Sequence, residues 1–183
     1  SLRDRTVGIV GLGRIGMAIA RRLDAMKVPV VYHSRRAVAG VPYRYYEDLR
    51  AMASDVDVLL VIVPGGAGTR HLIDRPVLEA LGANGILISV GRGSTVDESA
   101  LIDALRNRTI LSAGLDVFEK EPHVPAQHLP LPNAALLPHL GSASVFTRNA
   151  MGQLVVDNLR SWFEEGKPLT PVAETPWPSK RAR

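Results

Sequence analysis

Gly11-Leu12-Gly13-Arg14-Ile15-Gly16 narrows the fold of this chain more than any other stretch. It stands between the apolar run Thr6-Val7-Gly8-Ile9-Val10 and the opening of an amphipathic stretch, Met17-Ala18-Ile19-Ala20. Three glycines at that spacing, after a strand and at the mouth of a helix, form a dinucleotide-binding fingerprint. Gly11 permits a tight turn, Gly13 lets the backbone approach a pyrophosphate, and Gly16 lets helix and strand pack closely. Arg14 and Ile15 open the helix, where unpaired N–H groups and the positive end of the helix dipole favour phosphate. Glycine fills 16 of 183 positions, so the triplet draws its weight from this strand–helix setting rather than from its spacing alone.

The rest of the chain alternates in the same way. Strands are predicted over 6–10, 29–32, 56–63, 86–90, 111–115 and 134–137, and helices over 15–26, 47–52, 76–81, 97–106 and 145–165. Strands of β-branched sequence separated by helical periods imply an α/β fold, a Rossmann-type doubly wound parallel sheet with flanking helices. The run Val58-Leu59-Leu60-Val61-Ile62-Val63 is apolar without alternation, as burial on both faces requires. Pro29 can only begin its strand, because it has no N–H to give a central ladder. Before the helix at 97–106, Thr95 with Glu98 has capping-box spacing, while Asp97 offers an alternative cap. The last helix carries Met151, Leu154, Val155, Leu159 and Trp162 as a 3.6-period stripe interrupted by Asn158. Residues 121–132, with four prolines, read as a loop between the fifth and sixth predicted strands. The expected division is a dinucleotide-binding domain over 1–165 and a tail over 166–183.

The end of the second strand bears on which cofactor is taken. An acid about 20 residues beyond the glycines suits the ribose 2′-OH of NAD. Here the sequence reads His33-Ser34-Arg35-Arg36. Ser34 replaces a carboxylate that would repel a 2′-phosphate, and Arg35 and Arg36 can pair with one bidentately, so NADP is favoured with NAD as the second choice. The other reading of the two arginines is a solvated pair.

Composition excludes several classes. The chain has no cysteine, which removes disulfides, thiolate metal sites and cysteine nucleophiles. Its five scattered histidines suggest no metal site. The longest apolar run is far short of a membrane span, and no leader pattern opens the sequence, so a cytoplasmic location is expected. Three of the four net positive charges come from Lys180, Arg181 and Arg183 in a proline-interrupted tail, and no aromatic–basic platform accompanies them. Nucleic acid is therefore not an expected partner.

Three further segments each follow a predicted strand: Val90-Gly91-Arg92-Gly93, Asp116-Val117-Phe118-Glu119-Lys120-Glu121-Pro122, and Pro138-His139-Leu140-Gly141-Ser142. Loops at strand carboxyl ends meet where open α/β sheets bind ligands. An arginine, a carboxylate and a histidine gathered there make an anchor for an acid and a proton donor. Taken singly, Arg92 reads equally as a surface charge, Glu121 as an exposed loop acid, and His139 as a histidine closing a loop.

In order, Gly-Leu-Gly-Arg-Ile-Gly, Ser-Val-Gly-Arg-Gly-Ser-Thr-Val-Asp, Gly-Leu-Asp-Val-Phe-Glu-Lys-Glu-Pro and Pro-His-Leu-Gly-Ser resemble the D-isomer-specific 2-hydroxyacid dehydrogenase family. The resemblance implies hydride transfer between a nicotinamide cofactor and C2 of a small 2-oxo or 2-hydroxy acid. It implies that Arg92 holds the substrate carboxylate and that His139 is the general acid/base with Glu121 as its partner. Asp116, Val63, Pro64, Thr69, Val90, Gly91, Arg92, His139 and Gly141 would lie on the cofactor side. Ser34-Arg35 with Pro64-Gly65-Gly66 resembles the NADP-dependent hydroxypyruvate, glyoxylate and hydroxyphenylpyruvate reductases. The family also implies a homodimer formed through this domain and a separate N-terminal substrate domain, so the chain is expected to be a fragment of a longer enzyme. A non-catalytic NAD(P)-sensing module of the same fold is the alternative.

Overall fold

Strands buried on both faces need helices on both sides, and the chain supplies them around one seven-stranded parallel sheet. The structure, a computed structural model, describes residues 2, 4–127, 130–172 and 177. The basic residues Lys180, Arg181 and Arg183 lie outside the described residues. In chain order the elements are β1 (Val7–Val10), α1 (Arg14–Ala25), β2 (Val30–His33), β3 (Arg44–Tyr46), α2 (Leu49–Asp55), β4 (Val58–Val61), α3 (Arg75–Leu81), β5 (Ile86–Ser89), α4 (Glu98–Arg106), β6 (Ser112–Leu115), β7 (Ala134–Leu136) and α5 (Val145–Glu165). The sheet order is β3-β2-β1-β4-β5-β6-β7. Chain direction reverses its progress between β1 and β4, and that switch point is where such sheets open a crevice. The chain divides into two compact units, Ser1–His139, which holds the sheet, and Leu140–Arg183, which holds α5.

Two cores cover the two faces of the sheet. On one, Leu59 and Val61 of β4, Leu87 of β5 and Ala113 of β6 pack with Met52, Leu78, Leu101 and Leu105 from α2, α3 and α4. On the other, Val7, Ile9, Val58 and Tyr32 pack with Ala20, and with Met17 and Leu23 of α1. Alternate residues of β4 thus face opposite cores, which is why its sequence carries no polar position.

Three departures from the sequence reading have clear causes. Strand β3 was not expected: it is three residues long, lies at the sheet edge and pairs only with β2, so Tyr45 and Tyr46 follow no apolar run. Thr95 does not cap α4. Its hydroxyl donates to the Arg92 carbonyl at 2.6 Å, and Asp97 is the cap, accepting from the Ala100 N–H at 3.0 Å. Helix α2 starts two residues later than expected, because the Asp48 carboxylate caps it through Arg50 N–H at 2.8 Å.

The apolar stripe of α5 marks a helix but not a buried face. Met151, Leu154, Val155, Leu159 and Trp162 are all exposed, with only Ser161 buried. Asn158, which interrupts the stripe, accepts from Leu169 N–H at 3.0 Å and Thr170 N–H at 3.1 Å. Ser161 donates to the Lys167 carbonyl at 2.8 Å, and the Trp162 ring lies 5.1 Å from that of Trp177. Residues 167–170 are therefore folded back along the helix.

Replacing a helix-capping carboxylate with alanine costs about 1 kcal/mol. Asp97→Ala is expected to lower stability by that amount in urea unfolding, and Asp97→Asn to retain most of it. An unchanged midpoint in Asp97→Ala would return the cap to Thr95.

Candidate functional site

The glycine cradle follows from close backbone approaches. Gly11 has φ 104°, a conformation that favours glycine, and a Cβ there would meet Val63 Cγ1 at 2.8 Å. A Cβ on Gly16 would lie 2.0 Å from the Gly11 carbonyl oxygen, so the first turn of α1 rests directly on the strand it leaves. Gly13 differs from both: no atom lies within 4 Å of its missing Cβ. The space there is open, as a pyrophosphate approaching the backbone requires. Gly13 caps α1 without a side-chain bond, and the first turn of α1 holds no acid, so the protein leaves the positive end of the helix uncompensated. These residues fit a dinucleotide.

Four loops join the cradle along the carboxyl edge of the sheet. A cleft of about 1020 Å³ is lined by Gly13, Arg14, Ile15 and Gly16 after β1, Val63, Pro64 and Gly65 after β4, Val90 to Ser94 after β5, Phe118 to Glu121 after β6, and His139 after β7. Glycines set the spacing of these loops. A Cβ at Gly91 would fall 2.6 Å from the Val63 carbonyl, and one at Gly93 would fall 1.9 Å from the Phe118 carbonyl carbon. The Arg92 loop is thereby pressed between its neighbours. Gly65 leaves room for the stem of Arg92, whose Cβ and Cγ lie 3.3 Å from the position of its absent Cβ. The Arg92 guanidinium donates to the Gly91 carbonyl at 2.8 Å.

His139 and Glu121 meet in the cleft, with Nδ1 and Oε2 at 2.7 Å. The other carboxylate oxygen of Glu121 accepts from Phe118 N–H at 3.0 Å, so the acid is gripped from both sides. The His139 bond is the main cause that holds the Glu121 carboxyl below the ordinary carboxylate range, and the Phe118 N–H and nearby Arg92 act the same way. With Glu121 ionised, Nδ1 carries the proton that faces it, and Nε2 is left to exchange a proton with an occupant of the cleft.

The other expected residues sit around this centre. Asp116 is buried at the end of β6, with its N–H donating to the Ser89 carbonyl at 3.0 Å. Thr69 turns its hydroxyl onto the Pro64 carbonyl at 2.7 Å and braces that loop rather than lining the cleft. Ser34, Arg35 and Arg36 follow β2, beside the cradle: Gly11 N–H donates to the His33 carbonyl at 2.9 Å. They are not among the cleft-lining residues. Gly141 falls in the second unit.

Sequence reasoning missed the outer brace of the loop after β6. Glu119 is paired with Arg70 at 2.7 Å and lies 3.5 Å from His71 Nε2, while its N–H donates to Glu98 at 2.8 Å. Burial pushes the Glu98 carboxyl up, with the Glu119 N–H opposing that shift. Nothing in spacing pointed to this cluster, since its members come from two loops and the first turn of α4. The sign available was a pair of carboxylates at 119 and 121 beside Pro122, where the chain turns instead of running on as a strand with both acids on one face.

The cradle predicts a split between two alanine substitutions. Gly16→Ala is expected to destabilise by about 2 kcal/mol or more through overpacking. Gly13→Ala is expected to keep the melting temperature and weaken dinucleotide binding. Equal losses of stability in both would contradict the geometry. Glu121 gives a pH prediction. Its folded pKa is depressed, so its contribution is present above the unfolded value near 4.3 and is lost as pH falls through the folded one. Glu121→Gln is expected to flatten the fall of Tm between about pH 5 and 3. Parallel Tm curves would show that the pair adds no such stability.

Comparison with known proteins agrees with this architecture. The family model for the D-isomer specific 2-hydroxyacid dehydrogenase NAD binding domain matches residues 1–141. Glyoxylate/hydroxypyruvate reductase A of Arabidopsis thaliana is 51% identical over 168 residues, covering 92% of this chain and 54% of that protein. Hydroxyphenylpyruvate reductase of Plectranthus scutellarioides is 48% identical, with 92% and 54% covered. The NADPH-dependent glyoxylate/hydroxypyruvate reductase of Sinorhizobium meliloti, solved with NADP and malonate, superposes with a TM-score of 0.92 at 61% identity, covering 96% of this chain and 55% of that one. The chain thus spans about half the length of the relatives it matches. It belongs to the D-isomer specific 2-hydroxyacid dehydrogenase family and carries that family's NAD-binding domain.

Proposed function

We propose that the protein carrying this domain reduces a small 2-oxo acid at C2, of the glyoxylate or hydroxypyruvate kind, with NADPH preferred over NADH. The observation that carries the reading is the His139–Glu121 pair at 2.7 Å, sharing one cleft with Arg92 and the glycine cradle. Gly11, Gly13 and Gly16 would hold the cofactor by its pyrophosphate, and the reduced nicotinamide, when bound, would supply the hydride that C2 receives. Arg92 pairs with the substrate carboxylate through its planar fork and draws charge from the neighbouring carbonyl. His139 gives a proton from Nε2 to the carbonyl oxygen, so the product is the 2-hydroxy acid. Glu121 keeps Nδ1–H directed away from the substrate and orients the ring. Asp116, Thr69, Val63, Pro64, Val90, Gly91 and Gly141 serve the cofactor side in the same reading.

NADPH is favoured because the turn after β2 offers no carboxylate and two exposed guanidiniums, Arg35 and Arg36. The dependence of the S. meliloti reductase on NADPH supports the same choice. A cytoplasmic homodimer formed through this domain completes the proposal and rests on the family resemblance.

Fluorescence titration of the chain with NADPH and NADH tests the cofactor choice. Tighter NADPH binding is expected, with the preference lost in Arg35→Ala/Arg36→Ala. Equal binding of both cofactors by the unsubstituted chain would overturn it. In the longer enzyme, His139→Gln is expected to lower kcat by about 10²–10⁴-fold while cofactor binding persists. Retained turnover would favour a sensing role over catalysis.

A further inference from the structure

Arg35 and Arg36 are exposed, and neither forms an ion pair among the described residues. Long side chains lose rotamer freedom when they grip an anion. The backbone that presents them is the part a protein can fix in advance, and here it is fixed with care. The Ser34 carbonyl accepts the Tyr45 hydroxyl at 3.2 Å. The Ser34 hydroxyl donates to the Arg36 carbonyl at 2.6 Å, closing the turn from within. At the far end, Val38 N–H donates to the Tyr32 hydroxyl at 2.9 Å.

The two tyrosines form one unit. They are direct partners across β2 and β3, and their ring centroids lie 5.4 Å apart. Tyr32 is fully buried in the α1-side core, so its hydroxyl is a fixed point. One hydroxyl holds the first residue of the turn and the other holds its last. Ser34 commits its only hydroxyl proton to the Arg36 carbonyl and has none to give an incoming anion.

We propose that Tyr45 and Tyr32 set the cofactor preference as positioning residues, their hydroxyls holding residues 34–38 so that Arg35 and Arg36 meet a 2′-phosphate. The proposal rests on the NADPH reading above and adds the residues that make it selective. An aromatic pair that only filled space at the sheet edge would need the rings and not the hydroxyls, so tyrosine-to-phenylalanine changes separate the two roles.

The test is calorimetric titration of the full chain with 2′,5′-ADP (adenosine 2′,5′-bisphosphate) and with 5′-AMP, which differ only in the 2′-phosphate. The unsubstituted chain is expected to bind 2′,5′-ADP more tightly. Loss of one hydrogen bond to the turn is expected to weaken 2′,5′-ADP about five-fold in Tyr45→Phe, with 5′-AMP changed by less than about two-fold. Tyr32→Phe is expected to act in the same direction from the other end of the turn. Unchanged affinity for 2′,5′-ADP in Tyr45→Phe, or equal weakening of both ligands, would overturn the proposal. Tyr45→Phe keeps its ring at the sheet edge and decides the question even if Tyr32→Phe unfolds. A failure of the NADPH reading itself shows separately, as equal binding of the two ligands before any substitution.

Discussion

The first turn of α1 sits against the carbonyl of Gly11, closer than any side chain at position 16 would allow. That contact aims the helix at the switch point between β1 and β4, and the cleft depends on its direction. Moved outward by the width of a methyl group, the helix would present its N–H groups to solvent beside the cleft rather than into it. The same device recurs at Gly91 and Gly93, where neighbouring loops touch backbone to backbone. Parallel strands bring the loops to one edge, but absent side chains bring them into contact. Arg92, Glu121 and His139 share a cleft because nothing stands between the loops that carry them.

Charge is arranged with equal economy around the loop after β6. Glu121 pairs with His139, and Glu119 pairs with Arg70 and approaches His71. Glu98, at the start of α4, holds the same loop by its Glu119 N–H. The helix that follows β5 thus clasps the loop that follows β6, and Asp97 beside it is occupied with capping. Arg92 lies between β5 and α4 in sequence, on a loop whose Gly93 abuts the Phe118 carbonyl and whose own carbonyl accepts the Thr95 hydroxyl.

What could be read in the sequence was whatever a residue does alone or at fixed spacing. The glycine fingerprint, the unbroken apolar run of β4 and the segments after three strands lead directly to the sheet and to the residues of the cleft. Pairings between distant segments left no such trace. Strand β3 exists because Arg44, Tyr45 and Tyr46 find partners on β2, and no pattern within three residues reveals a partner. Thr95 and Asp97 are both good caps, and the two were separated by a local turn that commits Thr95 to the Arg92 carbonyl three residues back. The stripe of α5 shows the converse case: its period identified the helix, while burial depends on what lies opposite and not on the period.

The cradle is built of main chain and the turn after β2 presents side chains, and the two respond to mutation differently. At position 11, 13 or 16 one altered codon suffices to damage the binding of any dinucleotide, because nothing else can substitute for the missing atoms. Arg35 and Arg36 are exposed and outside both hydrophobic cores, so their codons can drift with little effect on folding. On the proposed assignment of these residues, a lineage with this domain would exchange one reductant for another in a few mutational steps along a path that stays folded, while the glycine cradle remained under strict purifying selection.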